Sequence, residues 1–286
     1  TGNNIPNNEA SQYGGGIYVK SGVHTIADNV FSHNSASQGG GGLLLADGTH
    51  IIMSNTINNN RSPAGAGISI LSGRHTISYN TVNNNTGGGL LLGGDDNMIT
   101  YNTIAENEAT AGGGIYVIGG KHSITDNTVS NNTASVRGGG FYLSGGTLTI
   151  SGNIISANTA SDAGGGMYIS LGTHSITGNA VSQNTASKAG GGLYVFGGKH
   201  VITNNTVSEN SSVIDGGGMY ISGNDGYRSV VNLTNNSLGS NSAGGKGGAV
   251  WVGLWSSVTD AHGNALSKPD TFNEYIGNTP DDIYYE

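Results

Sequence analysis

Apolar residues recur along this chain in short alternating groups that repeat about every 25 residues. Each group reads G-G-G-Φ-x-Φ, where Φ is apolar, and successive groups are 26, 25, 22, 25, 26, 26, 26, 26 and 31 residues apart. Their first apolar residues are Ile17, Leu43, Ile68, Leu90, Ile115, Phe141, Met167, Leu193, Met219 and Val250, and Ile283 supplies a further copy. Because alternation is the period of a β-strand, a repeat of this length predicts a solenoid built from coils of short strands.

A typical unit, residues 112–137, divides into three predicted strands. Strand one is Ile115–Val117, strand two is His122–Thr125 and strand three is Thr128–Ser130. Side chains alternate between the two faces of a strand, so the apolar residues point inwards and Tyr116 points outwards.

Stacked coils place equivalent inward residues in columns. Strand two gives the column Ile26, Ile52, Ile77, Ile99, Ile124, Ile150, Ile176, Ile202 and Leu233. Strand three gives the column Ile5, Phe31, Ile57, Val82, Ile104, Val129, Ile155, Val181, Val207 and Leu238. Each buried aliphatic side chain contributes roughly 1.5 to 3 kcal/mol, so these columns predict a continuous core.

Asparagine marks two corners of each coil. The motif N-x-Φ-x-x-N occurs eleven times, from Asn3 and Asn8 to Asn273 and Asn278. Asparagine tolerates left-handed backbone, and identical amides stacked ~4.8 Å apart can hydrogen-bond to one another. The pattern therefore predicts two asparagine ladders, while the G-G-G corner indicates positive φ and close approach of neighbouring coils.

The pairing of G-G-[GA]-Φ with Φ-x-x-N resembles the repeats of right-handed parallel β-helix surface proteins, of the polymorphic outer-membrane protein and autotransporter passenger type. Residues 138–143 (GGGFYL), 129–135 (VSNNTAS) and 278–284 (NTPDDIY) carry the likeness, which covers almost the whole chain. The resemblance implies an exported rod displayed on a cell surface.

The expected fold is therefore all-β: a right-handed parallel β-helix solenoid of about ten to eleven coils of ~25 residues. We predict a single domain over residues 1–286, in which 253–272 form an irregular insertion or cap. The array begins on strand three and ends on strand one, which suggests a fragment of a longer array or a subunit whose ends meet others.

Composition and charge narrow the possible partners. Only 10% of the residues are charged and the net charge is −8, so no basic patch is present for nucleic acid. No stretch reaches the length of a membrane-spanning helix. Cysteine is absent, which is compatible with export, and a leader peptide would have been removed or lie upstream. We predict a secreted or cell-surface location and no cofactor.

The outward position of strand one collects aromatic residues. We predict a ligand-binding or partner-binding strip of six residues, which are Tyr116, Tyr142, Tyr168, Tyr194, Tyr220 and Trp251. Such a strip could stack on the sugar rings of a glycan, dock a cell-surface protein or support self-association. The alternative is that aromatic cross-strand pairs only stabilise the sheet.

A column of histidines and a cluster of charged residues contain side chains that could bind a metal or catalyse a reaction. The first consists of His24, His50, His75, His122, His174 and His200. Stacked coils would hold these rings ~4.8 Å apart in a row, whereas a metal needs converging ligands, so we predict structural stacking and no metal site.

The second is the charged cluster of Arg74, Asp95, Asp96 and Lys121. Polysaccharide lyases on β-helices use such residue types, but opposite charges on adjacent strands also form plain surface ladders. We predict no catalytic residue, and we favour a non-enzymatic protein over an enzyme.

These observations favour a non-enzymatic extracellular β-helical rod with an adhesive, structural or self-assembling role. One alternative is a polysaccharide lyase or another carbohydrate-active enzyme on the same scaffold, since fold alone does not decide function. A further alternative is an ice-binding protein, because strand two carries outward hydroxyl rows such as Ser123 and Thr125.

Overall fold

The computed structural model describes residues 1–259, 273–280 and 282–286, and these residues form a parallel β-helix of stacked coils. Each strand pairs in parallel with its counterpart one coil away, as Ile115–Val117 does with Phe141–Leu143. The described residues contain no helix. The prediction of an all-β parallel solenoid is confirmed, and strands one and three of unit 112–137 have the predicted bounds.

Four stacks of strands form the walls, and they are named sheets 1 to 4 here in the order in which the chain meets them after the G-G-G corner. Sheet 1 contains Ile17–Val19, Leu43–Leu45, Ile68–Ile70, Leu90–Leu92, Ile115–Val117, Phe141–Ser144, Met167–Ser170, Leu193–Phe196, Met219–Ser222, Val250–Val252 and Ile283–Tyr285. Sheet 2 contains Val23–Ala27, Thr49–Met53, Arg74–Ser78, Asn97–Thr100, Lys121–Thr125, Thr147–Ser151, Thr173–Thr177, Gly198–Thr203, Ser229–Thr234 and Ser256–Thr259. Sheet 3 contains Asn4–Pro6, Val30–Ser32, Thr56–Asn58, Thr81–Asn83, Thr103–Ala105, Thr128–Ser130, Ile154–Ser156, Ala180–Ser182, Thr206–Ser208, Ser237–Gly239 and Glu274–Ile276.

Sheet 4 is a set of short strands that the sequence analysis missed. It has two parts, which are Glu9–Ala10 with Ser35–Ala36, and Glu108–Ala111, Thr133–Arg137, Thr159–Ala160, Thr185–Ala186, Ser211–Ser212 and Ser242–Ala243. Most of these strands are two residues long, too short for an alternating apolar pattern to show. The gap between the two parts falls at the shortest coil, where only isolated bridges join Arg61, Thr86 and Glu108.

The core is one continuous stack of aliphatic columns along the axis of the helix. The inward residues of sheets 1, 2 and 3 in the central coils are fully buried, as Ile115, Ile124 and Val129 illustrate. Sheet 4 adds a column of buried alanines, among them Ala134 and Ala160. Because every coil repeats the same inward positions, each apolar side chain packs on its equivalent in the coils above and below.

Both predicted asparagine ladders are present. In each, the Oδ1 atom accepts the backbone N–H and the side-chain N–H of the equivalent asparagine one coil earlier, as Asn132 does from Asn107 at 3.0 Å. The side-chain amide of Asn132 also donates to the backbone oxygen of Ile104 at 2.9 Å. From Asn29 to Asn241 the ladder amides are buried and hydrogen-bonded, which is the condition for burying a polar group at low cost.

The left-handed backbone at these corners lies one residue earlier than the sequence analysis expected. The positive φ angles belong to the residue before each ladder asparagine, for example Asp126 (56°) before Asn127 and Asn131 (55°) before Asn132. The ladder asparagine turns inwards and is not itself left-handed. The expectation that asparagine supplies this conformation is therefore wrong for the ladder residues, whose role is hydrogen bonding.

The glycine corner matches both parts of its prediction, as one triplet shows. Gly164 has a φ of 68°. At Gly165 and Gly166 an added Cβ would lie 2.5 to 2.6 Å from backbone oxygens of the next coil. The first glycine thus supplies the turn, and the other two permit the close approach of successive coils.

The predicted irregular segment, 253–272, is only partly described. Ser256–Thr259 within it is a regular strand of sheet 2 and pairs with Ser229–Asn232. Residues 260–272, including Phe272, lie outside the described residues. The single-domain assignment stays a prediction.

Candidate functional site

The six predicted aromatic residues, called the aromatic strip here, form one column on the outward side of sheet 1. Neighbouring ring centroids are 4.9 Å apart for Tyr116 and Tyr142, 5.1 Å for Tyr142 and Tyr168, 4.9 Å for Tyr168 and Tyr194, 4.9 Å for Tyr194 and Tyr220, and 4.0 Å for Tyr220 and Trp251. The parallel strand register brings these residues together, since it places equivalent positions side by side.

The ring planes decide what this strip offers to a partner. From Tyr142 to Trp251 successive planes are within 9° of parallel, and only Tyr116 meets its neighbour edge-on, at 81°. The ring faces therefore cover one another, and the outward surface consists of ring edges and hydroxyl groups. Tyr168 is only 5% exposed. A sugar ring that needs an open aromatic face would have to separate two stacked rings.

A charged network lies beside the strip, in the loop that leads into the G-G-G corner. The Asp162 carboxylate accepts a bond from Nε of Arg137 at 2.9 Å and another from Nζ of Lys188 at 2.8 Å. Burial raises the pKa of Asp162, but the bonds from Lys188 and Arg137 outweigh it and hold that pKa below its ordinary value. The Arg137 guanidinium also lies 5.0 Å from the ring centroid of Tyr168.

The strip and this loop enclose a groove. Its volume is about 320 Å³, and its lining includes Tyr168, Tyr194 and Tyr220 on one side and Asp162 and Lys188 on the other. Burial is the main cause that raises the pKa values of Tyr168 and Tyr220 above the ordinary tyrosine value. Their hydroxyls therefore stay protonated at neutral pH and can donate hydrogen bonds into the groove.

Sequence reasoning missed Arg137, Asp162, Lys188 and Asp215. The predicted strands do not include these residues, because Arg137 ends a strand of sheet 4 and the other three lie in the loops between sheets 4 and 1. A signal was present, since aligning the units on their G-G-G corners puts Arg137 and Asp215 in one column with two alanines between them.

The histidine column lies in sheet 2, and all of its members except the exposed His24 are buried. The rings of His50 and His75 stack with centroids 5.0 Å apart, and those of His174 and His200 do the same. The Nε2 atom of His200 donates to the backbone oxygen of Gly197 at 2.8 Å. The predicted stacking is thus observed, and within the described residues no group of three or more metal-ligating side chains comes together.

The charged cluster separates into surface residues. Arg74 and Asp96 form an ion pair at 3.1 Å whose side chains are 70% and 39% exposed. Burial lowers the pKa of nearby His122, and the charges of Asp95 and Asp96 partly offset that effect. The exposed pairing of Arg74 with Asp96 is the geometry of opposite charges on adjacent strands at a surface.

The outward hydroxyls of sheet 2 pair in part with one another. Thr125 bonds to Thr100 at 3.3 Å, and Thr234 bonds to Thr203 at 3.1 Å.

No helix within the described ranges has the length and hydropathy needed to cross a bilayer.

Two protein families have models that match this chain. Residues 88–266 match the family described as right handed beta helix region, which covers more than half of the chain and agrees with the parallel coils described above. Residues 1–139 match the family described as periplasmic copper-binding protein (NosD), to which this part is similar. Comparison with curated proteins and with solved structures gives no significant match.

Proposed function

Because the chain belongs to the right-handed β-helix family, we propose that it is a rod located outside the cytoplasm, which acts by lateral contact and not by catalysis. One observation carries the proposal: Tyr168, Tyr194 and Tyr220 of the aromatic strip line a groove together with the paired charges of the loop beside them. Tyrosine and arginine are the residue types that dominate protein contact surfaces. An adhesive or self-assembling role follows from such a surface on a rigid rod.

Two likenesses support the location. The NosD description names a periplasmic protein, and the repeats resemble those of polymorphic outer-membrane proteins and autotransporter passengers. Both point to a compartment outside the cytoplasm, either the periplasm or the cell surface.

Copper binding, which the NosD description also names, does not suit the arrangement of the residues that the structure describes. Copper sites are built from converging imidazole, thiolate or thioether ligands. The chain has no cysteine. The buried histidine rings lie parallel, about 5 Å apart, and Nε2 of both His75 and His200 is bonded to a backbone oxygen. We therefore assign copper no role in the proposed function.

The contact function predicts that the triple variant Tyr142→Ser, Tyr168→Ser, Tyr194→Ser loses binding. We expect the unaltered protein to bind at least one of two sensor surfaces, one coated with the same protein and one with polygalacturonate, and the variant to bind neither. Biolayer interferometry measures this. An unaltered protein that binds neither surface contradicts the proposal.

Loss of stability must be separated from loss of contact, because the triple change removes three stacked ring contacts and one edge-on ring contact, worth about 0.5 to 1.5 kcal/mol each. The matched variant Tyr142→Phe, Tyr168→Phe, Tyr194→Phe keeps the stack and removes only hydroxyls. We expect this variant to melt near the unaltered protein and to bind more weakly. If it binds normally while the serine variant melts far earlier, the strip stabilises the sheet and is not a contact surface.

The lyase alternative gives a direct prediction of its own. We expect no unsaturated product, measured by its ultraviolet absorbance, when the protein is incubated with polygalacturonate, because Arg74 and Asp96 pair at an exposed surface. Turnover that disappears in Asp96→Asn or Lys121→Ala would favour the enzyme.

A further inference from the structure

Two columns of residues, at the end of sheet 4 and in the loops that follow it, run beside the aromatic strip over four successive coils. The first column is Val136, Asp162, Lys188 and Ile214. From Asp162 onwards, the backbone N–H of each member donates to the backbone oxygen of the preceding member at 2.8 to 2.9 Å. The second column is Arg137, Ala163, Ala189 and Asp215, which parallel bridges join. These eight residues are called the loop face here.

Each column is complementary to the same column of a second copy that runs in the opposite direction. The first reads apolar, acid, base, apolar, so its reverse sets an acid against a base and an apolar residue against an apolar one. The second reads base, alanine, alanine, acid, so its reverse sets base against acid at both ends. A copy of the chain turned end over end therefore matches both columns in one register.

This register corresponds to a two-fold axis that runs perpendicular to the β-helix, between the coils of Asp162 and Lys188. Such an axis makes each contact occur twice, as in isologous dimers. Asp162 would face Lys188 of the partner subunit, and Arg137 would face Asp215 of the partner subunit. A parallel copy would instead set like charges at the same height, which is destabilising.

The ends of the first column are apolar and exposed, which a purely intramolecular charge ladder does not explain. Val136 is 39% exposed and Ile214 is 49% exposed, and Val213 beside Ile214 is 64% exposed. Under the two-fold axis Val136 would pack against Ile214 of the partner subunit. The Asp215 carboxylate accepts the backbone N–H of Lys246 at 2.7 Å, and it has no ion pair within the part of the chain described.

We propose that a second copy of this chain binds the loop face in an antiparallel, two-fold dimer. The inference rests on the proposed contact function and names its partner. Four coils extend only about 14 Å at the strand spacing. A contact of this size falls in the weak class of interfaces. The dimer therefore dissociates on dilution in roughly the micromolar range.

Sedimentation velocity of the purified chain, from about 1 to 200 µM, measures the oligomeric state directly. We expect a shift from monomer to dimer over this range, and a weaker shift at high salt because exposed ion pairs are screened. A chain that stays monomeric throughout overturns the dimer. Binding to polygalacturonate in the sensor assay would still support the contact function in that case, so the two failures are distinguishable.

A pair of charge reversals tests the register. Alone, Asp215→Arg sets two arginines against each other at both ends, and alone, Arg137→Glu sets two acids against each other. Mixed in equal amounts, these two variants restore both ion pairs between unlike chains. We expect each variant alone to be monomeric at a concentration where the unaltered protein is dimeric, and the mixture to be dimeric. A mixture that remains monomeric, or variants that dimerise alone, overturns the proposed register.

Arg137→Glu also removes the ion pair with Asp162, so its fold is checked by circular dichroism and melting temperature. If that variant fails to fold, Ile214→Arg tests the interface, since it places a charge against Val136 of the partner subunit. Its matched control is Ile118→Arg, at a corner between sheets 1 and 2 where Ile118 is 55% exposed. We expect Ile214→Arg to abolish the dimer and Ile118→Arg to leave it, and equal effects overturn the proposal.

Discussion

Replacing Asn132 by aspartate is expected to lower the free energy of unfolding by about 3 to 6 kcal/mol. The amide nitrogen of Asn132 donates to the Ile104 backbone oxygen at 2.9 Å and to Oδ1 of Asn158 at 3.0 Å. A carboxylate oxygen in its place would meet two acceptors, at a side chain that is 0% exposed. Two hydrogen bonds would be lost and a charge would be buried without a cation, which is costly in a dry interior.

The neighbouring residue provides the control. Asn131 is exposed, lies at the same corner and has a φ of 55°, a conformation that aspartate also tolerates. Asn131→Asp should therefore change stability by no more than about 0.5 kcal/mol. Guanidinium unfolding followed by circular dichroism gives both midpoints. Equal midpoint shifts for the two variants would show that the ladder amide has no special role.

Acidification is expected to destabilise the protein between pH 6.5 and about 4, through the buried histidines. Burial lowers the pKa values of His75, His122, His174 and His200, and it lowers the pKa of His174 to about 4, with a further contribution from His200. Protonating Nδ1 of His200 would place an N–H in a buried position where that atom has no partner among the described residues.

The direction follows from proton binding. Below pH 6.5 the unfolded chain takes up protons at these histidines before the native protein does, so stability is complete above that pH and is lost as the pH falls. For His174 the change from 6.5 to about 4 corresponds to about 3 kcal/mol. Denaturant midpoints measured from pH 7.5 to 4 test this.

His174→Leu is the matched variant, because Leu148 occupies the same column one coil earlier and is 1% exposed. We expect the variant to be about as stable as the unaltered protein at pH 7.5 and to lose about 3 kcal/mol less on acidification. Carboxylates contribute equally to both proteins, so the difference isolates the histidine. Identical pH profiles would mean that His174 does not control the acid response.

Much of this fold could be predicted from the sequence, because each coil pairs with a neighbouring coil that has the same pattern of residues. Equivalent residues such as Ile99 and Ile124 are neighbours in register, so a column in the sequence alignment is also a column in space. This is why the strands, the core columns, the glycine corners and both ladders could be predicted. Sheet 4 could not, because two-residue strands such as Thr159–Ala160 carry no periodic signal.

The sequence predicted which aromatic residues line up in the strip, but it predicted neither the surface that they present nor the charged residues beside them. That Tyr142 and Tyr168 are neighbours follows from the repeat. That their planes lie 5° from parallel, so that they offer edges and not faces, depends on side-chain rotamers that a sequence pattern does not fix. The same holds for the loop face, because the sequence pattern does not show that its charged residues lie beside the strip.

The sequence by itself determined the coil, its inward columns and its ladders, because parallel pairing at a fixed period leaves one register that buries every apolar column. The tertiary structure alone decided which residue of each asparagine corner is left-handed, how the tyrosine rings pack and that Asp162 joins Arg137 to Lys188. These features depend on side-chain conformation and on loop paths between strands. The repeat constrains neither, since side chains outside the core can adopt several conformations without changing the register.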